Sequence, residues 1–451
     1  MLGTIDIFAD LHIHSTASDG TDTPQQILEK ISEVGGVKIF ALTDHDTIKG
    51  VEQIKNKIPQ NIFFVNGVEF SCKTASGNKC HILGYFYDAT NKDFQEILEQ
   101  GKNLHAKKLE IRLKFLSDLY KINFSADDVK KICENEVVGK PHIVNFIFEK
   151  FGIAKHKIYS DLRKCKIDAR LDAKKVIDAI KNSGGVSVWA HPLGGEGEKC
   201  STQAEFEKNF AELKNLGIEG IEIYYSRYNA EQRKILLEVA EKNNLLVSGG
   251  SDYHGKNKNI SLFEVGRDNP QIKVWRLTIL QKIFEKHSDS RVRKAFEIAK
   301  KAHAGQVDKA GTDYIFHPIT VALNCRGNIS AMIVGLLHDV VEDTNFTFED
   351  LQKIPLTDEE MQALKLLTHD KSIPYPDYIA KIKTNSLAKK VKFCDIDHNM
   401  DYSRFFKDID TWNGISMVEY AKAIETLPEE YFPKKAENYS YSDAWYDLQM
   451  K

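Results

Sequence analysis

The sequence predicts an α/β barrel followed by an all-helical unit, and three observations carry that expectation. Short apolar runs alternate with amphipathic segments as far as Gly266, the pattern of strands separated by helices. The histidines and carboxylates of that region stand at the ends of the apolar runs. Beyond Gly266 the runs fade and only helical periodicity remains. Strands alternating with helices favour a parallel sheet, and a closed barrel gathers the residues at its strand ends on one face.

In chain order, "IFADLHIHSTASDG" is a strand that carries His12 and His14 at alternate positions, so both imidazoles point to one side. "TPQQILEKISEV" follows as a helix, with Pro24 where a first turn tolerates it. "KIFALTDHDT" is a strand over Ile39 to Leu42 ending in Asp44-His45-Asp46. "NIFFVNGVEF" carries Glu69 near its end, and "CHILGYFYD" starts with His81. Further on, "GGVSVWAHPLGG" delivers His191, "GIEGIEIYYS" delivers Glu222 and Tyr224, and "NNLLVSGGSDYHG" delivers Asp252 and His254. The run-and-breaker rule counts about seven strands, which makes the first part a distorted (β/α)7 barrel. From Gly101 to Asp172 the alternation breaks. "HAKKLEIRLKFLSDLY", "SADDVKKI" and "GKPHIVNFIFEKFGI" read as a helical cap inserted over the barrel mouth.

A chain of 451 residues, 42% hydrophobic and 28% charged, can bury the cores of two domains or more. Its formal net charge of -3 gives no general attraction for long DNA, although a local basic patch is allowed. No basic segment followed by an apolar stretch opens the sequence, and no run is long enough to span a membrane, so a cytoplasmic location is expected. Seven cysteines without a C-x-x-C pair fit a reducing compartment and argue against a disulfide framework. The chemistry must come from the fifteen histidines and their acidic neighbours. Divalent ions accept several imidazoles and carboxylates together, and this many donors call for more than one ion. Unrelated, locally hydrogen-bonded histidines are the alternative, and it weakens as the set grows.

"DLHIHSTASDG", "LTDHDT", "GVEF", "HILGY", "WAHP" and "SDYHG", in this order, resemble the PHP (polymerase and histidinol phosphatase) family over Ile7 to Gly255. The resemblance implies a distorted seven-stranded barrel holding up to three metals (Mn, Zn or Fe). It implies as ligands His12, His14, Asp19, His45, Glu69, His81, His191, Asp252 and His254, with Glu69 bridging two ions and His191 or His254 doubling as proton donor. Asp44 is expected to orient a histidine through its other ring nitrogen. The insertion resembles that of the branch acting on adenosine 3′,5′-bisphosphate and short 5′-phosphorylated RNA, whose Gly-Arg/Lys-Pro-His motif is here Gly139-Lys140-Pro141-His142. Lys140 and His142 are then candidates for a second phosphate; a plain helix start with Pro141 in its first turn is the other reading. In a second enzymatic reading, Lys107, Lys108, Arg112 and Lys140 track the backbone of a short RNA trimmed from its 5′ end. A histidinol-phosphatase-like activity is a further alternative.

In the helical part, "SAMIVGLLHDVVEDT" sets His338 beside Asp339, with Glu342 and Asp343 a turn later on the same side of the predicted helix. A metal relieves the cost of burying the first pair, and the second is placed to orient water or move a proton. A solvated acidic face is the alternative. "DYIFHPI" puts His317 before a helix opening with Pro318, and "KVKFCDIDHNM" spaces Lys392, Asp395 and Asn399 along one face. Together these resemble the HD phosphohydrolase superfamily, and within it the RelA/SpoT-type (p)ppGpp hydrolase, over Val292 to Arg404. The resemblance implies His317, His338, Asp339 and Asp395 as ligands of one Mn2+, Glu342 and Asp343 as catalytic acids, and Lys309, Tyr314, Lys392 and Asn399 as substrate contacts. Asp308-Lys309 replaces the family's Arg-Lys, and Gly311-Thr312-Asp313-Tyr314 its Gly-x-Pro-Tyr turn. A carboxylate cannot replace a stacked guanidinium, so guanine specificity does not carry over.

These readings divide the chain near Asp289, into residues 1–288 and 289–451. The aromatic tail "YFPKKAENYSYSDAWYDL" suits docking on a domain surface or on a second copy of the chain, which leaves a homo-oligomer open. Both parts are expected to hydrolyse phosphoesters of small nucleotides bearing phosphate on the 3′ and 5′ oxygens. The non-enzymatic alternative makes the helical part a nucleotide-binding module that regulates the barrel.

Overall fold

A computed structural model describes residues 7–34, 36–133, 137–167, 169–195, 200–265, 276–308, 311–325 and 327–399. Lys309 and the aromatic tail lie outside them.

Local chemistry starts the helices where the sequence places them. The Thr23 side chain accepts the Gln26 N–H while the Gln26 side chain accepts the Thr23 N–H, and Pro24 opens α1 (Pro24–Glu33). Ile27, Leu28 and Ile31 of α1 turn inward between β1 (Ile7–Asp10) and α2 (Lys49–Ile54). β2 (Val37–Leu42) pairs in parallel with β1 and with β3 (Ile62–Lys73). β4 (Lys79–Tyr85) then runs antiparallel to β3, which departs from the all-parallel expectation.

The reversal has a consequence for the site. His81, at the beginning of β4, stands opposite Ser71 near the end of β3, so it lies at the same rim as residues that follow the ends of parallel strands. A short β5 (Leu171–Asp172) joins the end of β3, and β6 (Val186–Trp189) pairs antiparallel with β4. Parallel pairing resumes through β7 (Gly220–Tyr225) and β8 (Leu246–Gly250). The path β1-β2-β3-β4-β6-β7-β8 has seven strands, with β5 off it. Leu11 N–H donates to the Gly249 carbonyl at 3.1 Å, and Ile13 bridges Tyr253, so the last strand returns to the first and the barrel nearly closes. Helices α7 (Ala173–Asn182), α8 (Gln203–Leu216) and α9 (Ala230–Asn243) complete this part.

The helical insertion opens at Lys92, upstream of Gly101, with α3 (Lys92–Tyr120) and continues through α4 (Ala126–Ile132), α5 (Lys140–Phe151) and α6 (Lys155–Leu162). It has its own core, around Leu113, Leu116, Ile143, Ile147 and Ile158. His105 of α3 meets Asp46 at 2.6 Å, which ties the insertion to the rim.

Residues 277–285 join the two parts. Thr278 Oγ1 accepts the Val247 N–H of β8, while Phe284 of α10 (Gln281–Glu285) stacks on Phe296 of α11 (Ser290–Ala302). There follow α12 (Phe316–Asn324), α13 (Ile329–Leu337), α14 (Val340–Asp343), α15 (Phe348–Leu351), α16 (Asp358–Leu367), α17 (Tyr375–Lys383) and α18 (Ser386–Asn399), with no strand among the described residues. A Cβ on Gly335 would lie 3.2 Å from Ala322 Cα, so α12 and α13 approach closely there. No described helix is long and apolar enough to cross a membrane.

Candidate metal centres

The barrel rim collects all nine sequence-predicted ligands. Glu69 lies at their middle: Oε1 stands 2.9 Å from His81 Nδ1 and 3.0 Å from His191 Nε2. Its Oε2 stands 3.0 Å from His45 Nδ1, 3.1 Å from His14 Nε2 and 3.3 Å from His12 Nε2. Asp19 Oδ1 faces His254 Nε2 at 3.3 Å and His45 Nε2 at 3.9 Å, and Asp252 Oδ1 faces His14 Nε2 at 3.3 Å. Three overlapping donor sets result: His14, Asp19, His45 and His254; His12, His14 and Glu69; and His45, Glu69 and His81.

These donors fit cations better than they fit each other. Glu69 Oε2, Asp19 Oδ1 and His45 Nδ1 are buried without a hydrogen-bond partner. His12 Nδ1 meets the Glu222 carboxylate at 2.8 Å and His254 Nδ1 the Asp252 carbonyl at 2.8 Å. Each Nδ1 therefore carries a hydrogen; Glu222, Glu69 and Asp252 raise the pKa of His12 against burial, so its Nε2 presents a lone pair to these carboxylate oxygens only where a metal cation replaces the second proton. Lone pair facing lone pair at such distances repels unless a cation lies between. The carboxylates are ionised: against the cost of burial, surrounding imidazoles hold Glu69 and Asp19 well below the ordinary range, and Lys258 with His12 does the same for Asp252. Burial, with His14 and Lys258 beside it, pushes His254 down to about 4, the neutral state a metal ligand needs.

The residues behind these donors differ from expectation. Asp44 does not orient a histidine directly. Its carboxylate accepts the Ser15 N–H at 2.8 Å and the Ser15 and Ser18 hydroxyls at 2.7 Å, holding the loop between His14 and Asp19. Glu222 takes the orienting part instead, accepting from His12 with one oxygen and from the His191 N–H at 2.8 Å with the other. Its place in the β7 strand was a usable signal, the same that marked the ligands. Asp252 Oδ2 is engaged by Tyr225 at 2.8 Å and Lys258 at 2.5 Å, leaving Oδ1 for an ion. His191 and Asp252 adopt positive φ, 28° and 57°, a cost the surrounding contacts sustain.

Above the rim, Gly139 caps α5, and a Cβ there would come within 2.9 Å of Asp19 Cβ. His142 Nδ1 accepts the Gly139 N–H at 3.0 Å, so the motif is a helix start placed beside the donors. Lys107 is exposed, but Lys108 and Arg112 are partly buried. Burial, with Arg170 and Arg112 close by, pushes Lys108 down to about 8, although Asp46 opposes the shift. Arg170 Nη1 is buried without a described partner, and its charge reaches His81. No motif announced Arg170.

In the helical part, α13 stops at Leu337 and α14 starts at Val340, so the predicted continuous helix is broken at His338-Asp339. On an unbroken helix adjacent side chains diverge by about 100°. Here His338 Nε2 lies 3.1 Å from Asp339 Oδ2. His317 Nε2, at the start of α12, lies 3.2 Å from His338 Nε2, from Asp339 Oδ2 and from Asp395 Oδ1. His338 Nδ1 donates to the Gly335 carbonyl at 2.9 Å, so its Nε2 lone pair faces the same point. Lys392 pairs with Asp395 Oδ2 at 2.8 Å, and Asn399 donates to Asp395 Oδ1 at 2.7 Å. Tyr314 donates to Asp339 at 2.8 Å and lies 3.2 Å from Asp343 Oδ2, and Glu342 accepts the His369 N–H at 2.8 Å. Burial raises Glu342 and Asp343 above the ordinary carboxyl range, which suits groups that carry protons.

No family model matches the chain. The 5′-3′ exoribonuclease of Haemophilus influenzae is 29% identical over 54% of this chain and 89% of its own length. The 3′,5′-nucleoside bisphosphate phosphatase of Chromobacterium violaceum is 24% identical over 54% of the chain and 86% of its own. A Borreliella burgdorferi guanosine-3′,5′-bis(diphosphate) 3′-pyrophosphohydrolase is 44% identical over 18% of the chain, a segment that spans only 12% of that protein. A solved Bifidobacterium adolescentis chain assigned as a metal-dependent phosphoesterase shares the fold, with TM-score 0.51 and 24% identity over 64% of this chain and 99% of its own. Barrel, donor cluster and relatives define a metal-dependent phosphoester hydrolase. More closely, the N-terminal half matches PHP phosphoesterases, and the C-terminal segment matches SpoT-type HD hydrolases.

A close approach allows a test of the barrel cluster. A Cβ on Gly250 would stand 2.4 Å from His12 Cβ and N. Gly250→Ala should therefore displace His12 and lower phosphate release by about 10²-fold, the order expected for ångström misplacement in a site. Bound metal, measured by mass spectrometry, should fall with it while the melting of the helical part is unchanged.

Proposed function

We propose that the barrel removes the 3′-phosphate from nucleoside 3′,5′-bisphosphates and that the helical part, beginning near Asp289, releases pyrophosphate from the 3′ position of (p)ppGpp-like nucleotides. The observation that supports the first half most directly is the cationic group of Lys108, Arg112 and Arg170 beside the His81 edge of the donor cluster. A substrate with one phosphate on the ions would direct its second either toward these cations on the His81 side or toward Lys140 and His142 at the start of α5, on the Asp19 side.

The barrel takes up to three ions, from Mn, Zn or Fe, and the helical site one Mn2+. Such ions lower the pKa of bound water toward 7 and neutralise phosphate oxygens. The chain's own residues do the rest. Lys258 and Tyr225 hold Asp252, and Glu222 holds His12 and the backbone of His191, so the donor set is shaped before substrate arrives. Of the two histidines expected to pass a proton to the leaving oxygen, His191 suits the part, because Glu69 raises its pKa against burial, while His254 is neutral with its Nδ1 hydrogen on the Asp252 carbonyl. In the helical site Glu342 and Asp343 hold and deliver protons, and Tyr314 keeps Asp343 beside Asp339.

Asp308 accepts the Thr312 N–H at 2.9 Å and closes its own turn. It provides no cation for stacking on guanine, so ppApp and ppGpp should be turned over with similar kcat/KM. The full chain with Mn2+ should release phosphate from adenosine 3′,5′-bisphosphate and pyrophosphate from ppGpp; failure on both substrates discards the proposal. Similarity to the Haemophilus exoribonuclease supports a second reading, in which the same cations follow a short RNA. Mononucleotides released from a 5′-phosphorylated pentamer faster than phosphate from the bisphosphate would favour it.

Lys108 sets a pH limit. Its depressed value means the ammonium is present below about 8 and lost above it. KM for the bisphosphate should therefore rise above that pH, and Lys108→Met should have a high KM at every pH. An unchanged KM from pH 7 to 9 removes Lys108 from the phosphate site.

A further inference from the structure

His303 belongs to neither donor set, yet it is buried to 2% exposure at the helical site. It follows α11, and its ring packs 4.8 Å from that of Tyr314, which in turn lies 5.6 Å from the His317 ring. The fields of Asp339, His338 and His317 all reach it.

Its tautomer can be deduced. The Gln306 amide nitrogen donates to the Asp343 backbone carbonyl at 3.0 Å, an acceptor only, so Gln306 Oε1 is the atom 2.7 Å from His303 Nδ1. That oxygen only accepts, so Nδ1 carries the hydrogen and Nε2 carries a lone pair. Nε2 is buried and has no partner among the described residues. A buried acceptor left unsatisfied costs on the order of 1–3 kcal/mol, and such groups are commonly matched by an ordered water. Desolvation lowers the imidazole's pKa, in keeping with a neutral ring.

We propose that His303 is a positioning residue of the helical site: its Nε2 accepts a hydrogen bond from a water molecule beside the Asp339 carboxylate and orients it for attack on the nucleotide's phosphate. The chain Asp343 carbonyl, Gln306 amide, His303 imidazole then links the backbone of a proton-carrying residue to the orientation of the water. With an ion held by His317, His338, Asp339 and Asp395, one hydrogen of such a water would be committed to His303 and the other would be free for Glu342 or Asp343 to accept. The inference rests on the reading of this site as a metal-dependent pyrophosphohydrolase.

Two substitutions separate this role from packing. Asn places its amide near the ring's Nδ1 and can keep the bond to Gln306 while losing the acceptor at Nε2. Gln reaches the Nε2 position and keeps an acceptor there while losing the Gln306 bond. Mn2+ binding to the full chain is measured first; the binding step missing from Asp339→Ala belongs to the helical site. We expect His303→Asn to weaken that step by about 10-fold or more, as outer partners of metal sites do, and to lower kcat for pyrophosphate release with KM little changed. His303→Gln should recover most of both. If Asn equals wild type and Gln is the impaired variant, the Gln306 bond alone matters and the inference is overturned. Equal and wild-type-like behaviour of both variants overturns it as well. A wild-type chain with no Asp339-dependent Mn2+ step instead overturns the reading of the site on which the inference rests.

Discussion

Glu69→Gln should lower phosphate release from adenosine 3′,5′-bisphosphate on the order of 10³-fold while leaving pyrophosphate release from ppGpp unchanged. The substitution keeps shape and volume and removes one negative charge from the centre of the barrel cluster. That charge faces His12, His14, His45, His81 and His191, each within 3.3 Å of a carboxylate oxygen. Two of the three donor sets include Glu69, so the neutral amide weakens both at once. One amide end also presents N–H hydrogens, and it meets imidazole nitrogens or a cation where an anion belongs. Metal analysis of the purified variant should show a reduced metal-to-protein ratio. A variant with full metal content and phosphate release within a few-fold of wild type would falsify the central place of Glu69.

Asp339→Ala should abolish pyrophosphate release and leave the barrel's kcat/KM intact. Asp339 is the carboxylate nearest His338, at 3.1 Å, lies as close to His317 as Asp395 does, at 3.2 Å, and also accepts from Tyr314 at 2.8 Å. Removing it takes away one ligand and releases the phenol that also contacts Asp343, so ion binding and proton handling fail together. The same variant separates enzyme from regulator. If the helical part is a nucleotide sensor, Asp339→Ala changes barrel kinetics with nucleotide present, and no pyrophosphate is seen even from wild type.

Much of the site was legible because ligand types recur at predictable places along strands. His12 and His14 at alternate positions, Glu69 near the end of β3, and Asp252 with His254 after β8 follow from a period of two and from the rule that active residues collect at strand ends. His81 was legible as a ligand type, but its place at the start of a strand made sense only once β4 was seen to run antiparallel. His338 and Asp339 read as a pair on one continuous helix, whereas the structure interrupts that helix between Leu337 and Val340 and brings His317 and Asp395 to the same spot from elsewhere in the chain. Asp44 was misjudged because a carboxylate beside a histidine in sequence need not be its partner in space. Two serines five residues or fewer from His14 claim it.

What the sequence by itself determined is the order of elements, the identity of the candidate donors and the presence of two chemically distinct hydrolase-like motifs, since these depend on periodicity and residue type within short windows. Only the tertiary structure decided the direction of β4, the hydrogen-bond partners that set the tautomers of His12, His254, His338 and His303, and the gathering of Arg170 with Lys108 and Arg112. Each depends on groups brought together from distant parts of the chain or on a local break in regular geometry. Hydrogen bonds and charges act over a few ångströms of space, and sequence separation alone does not report that distance.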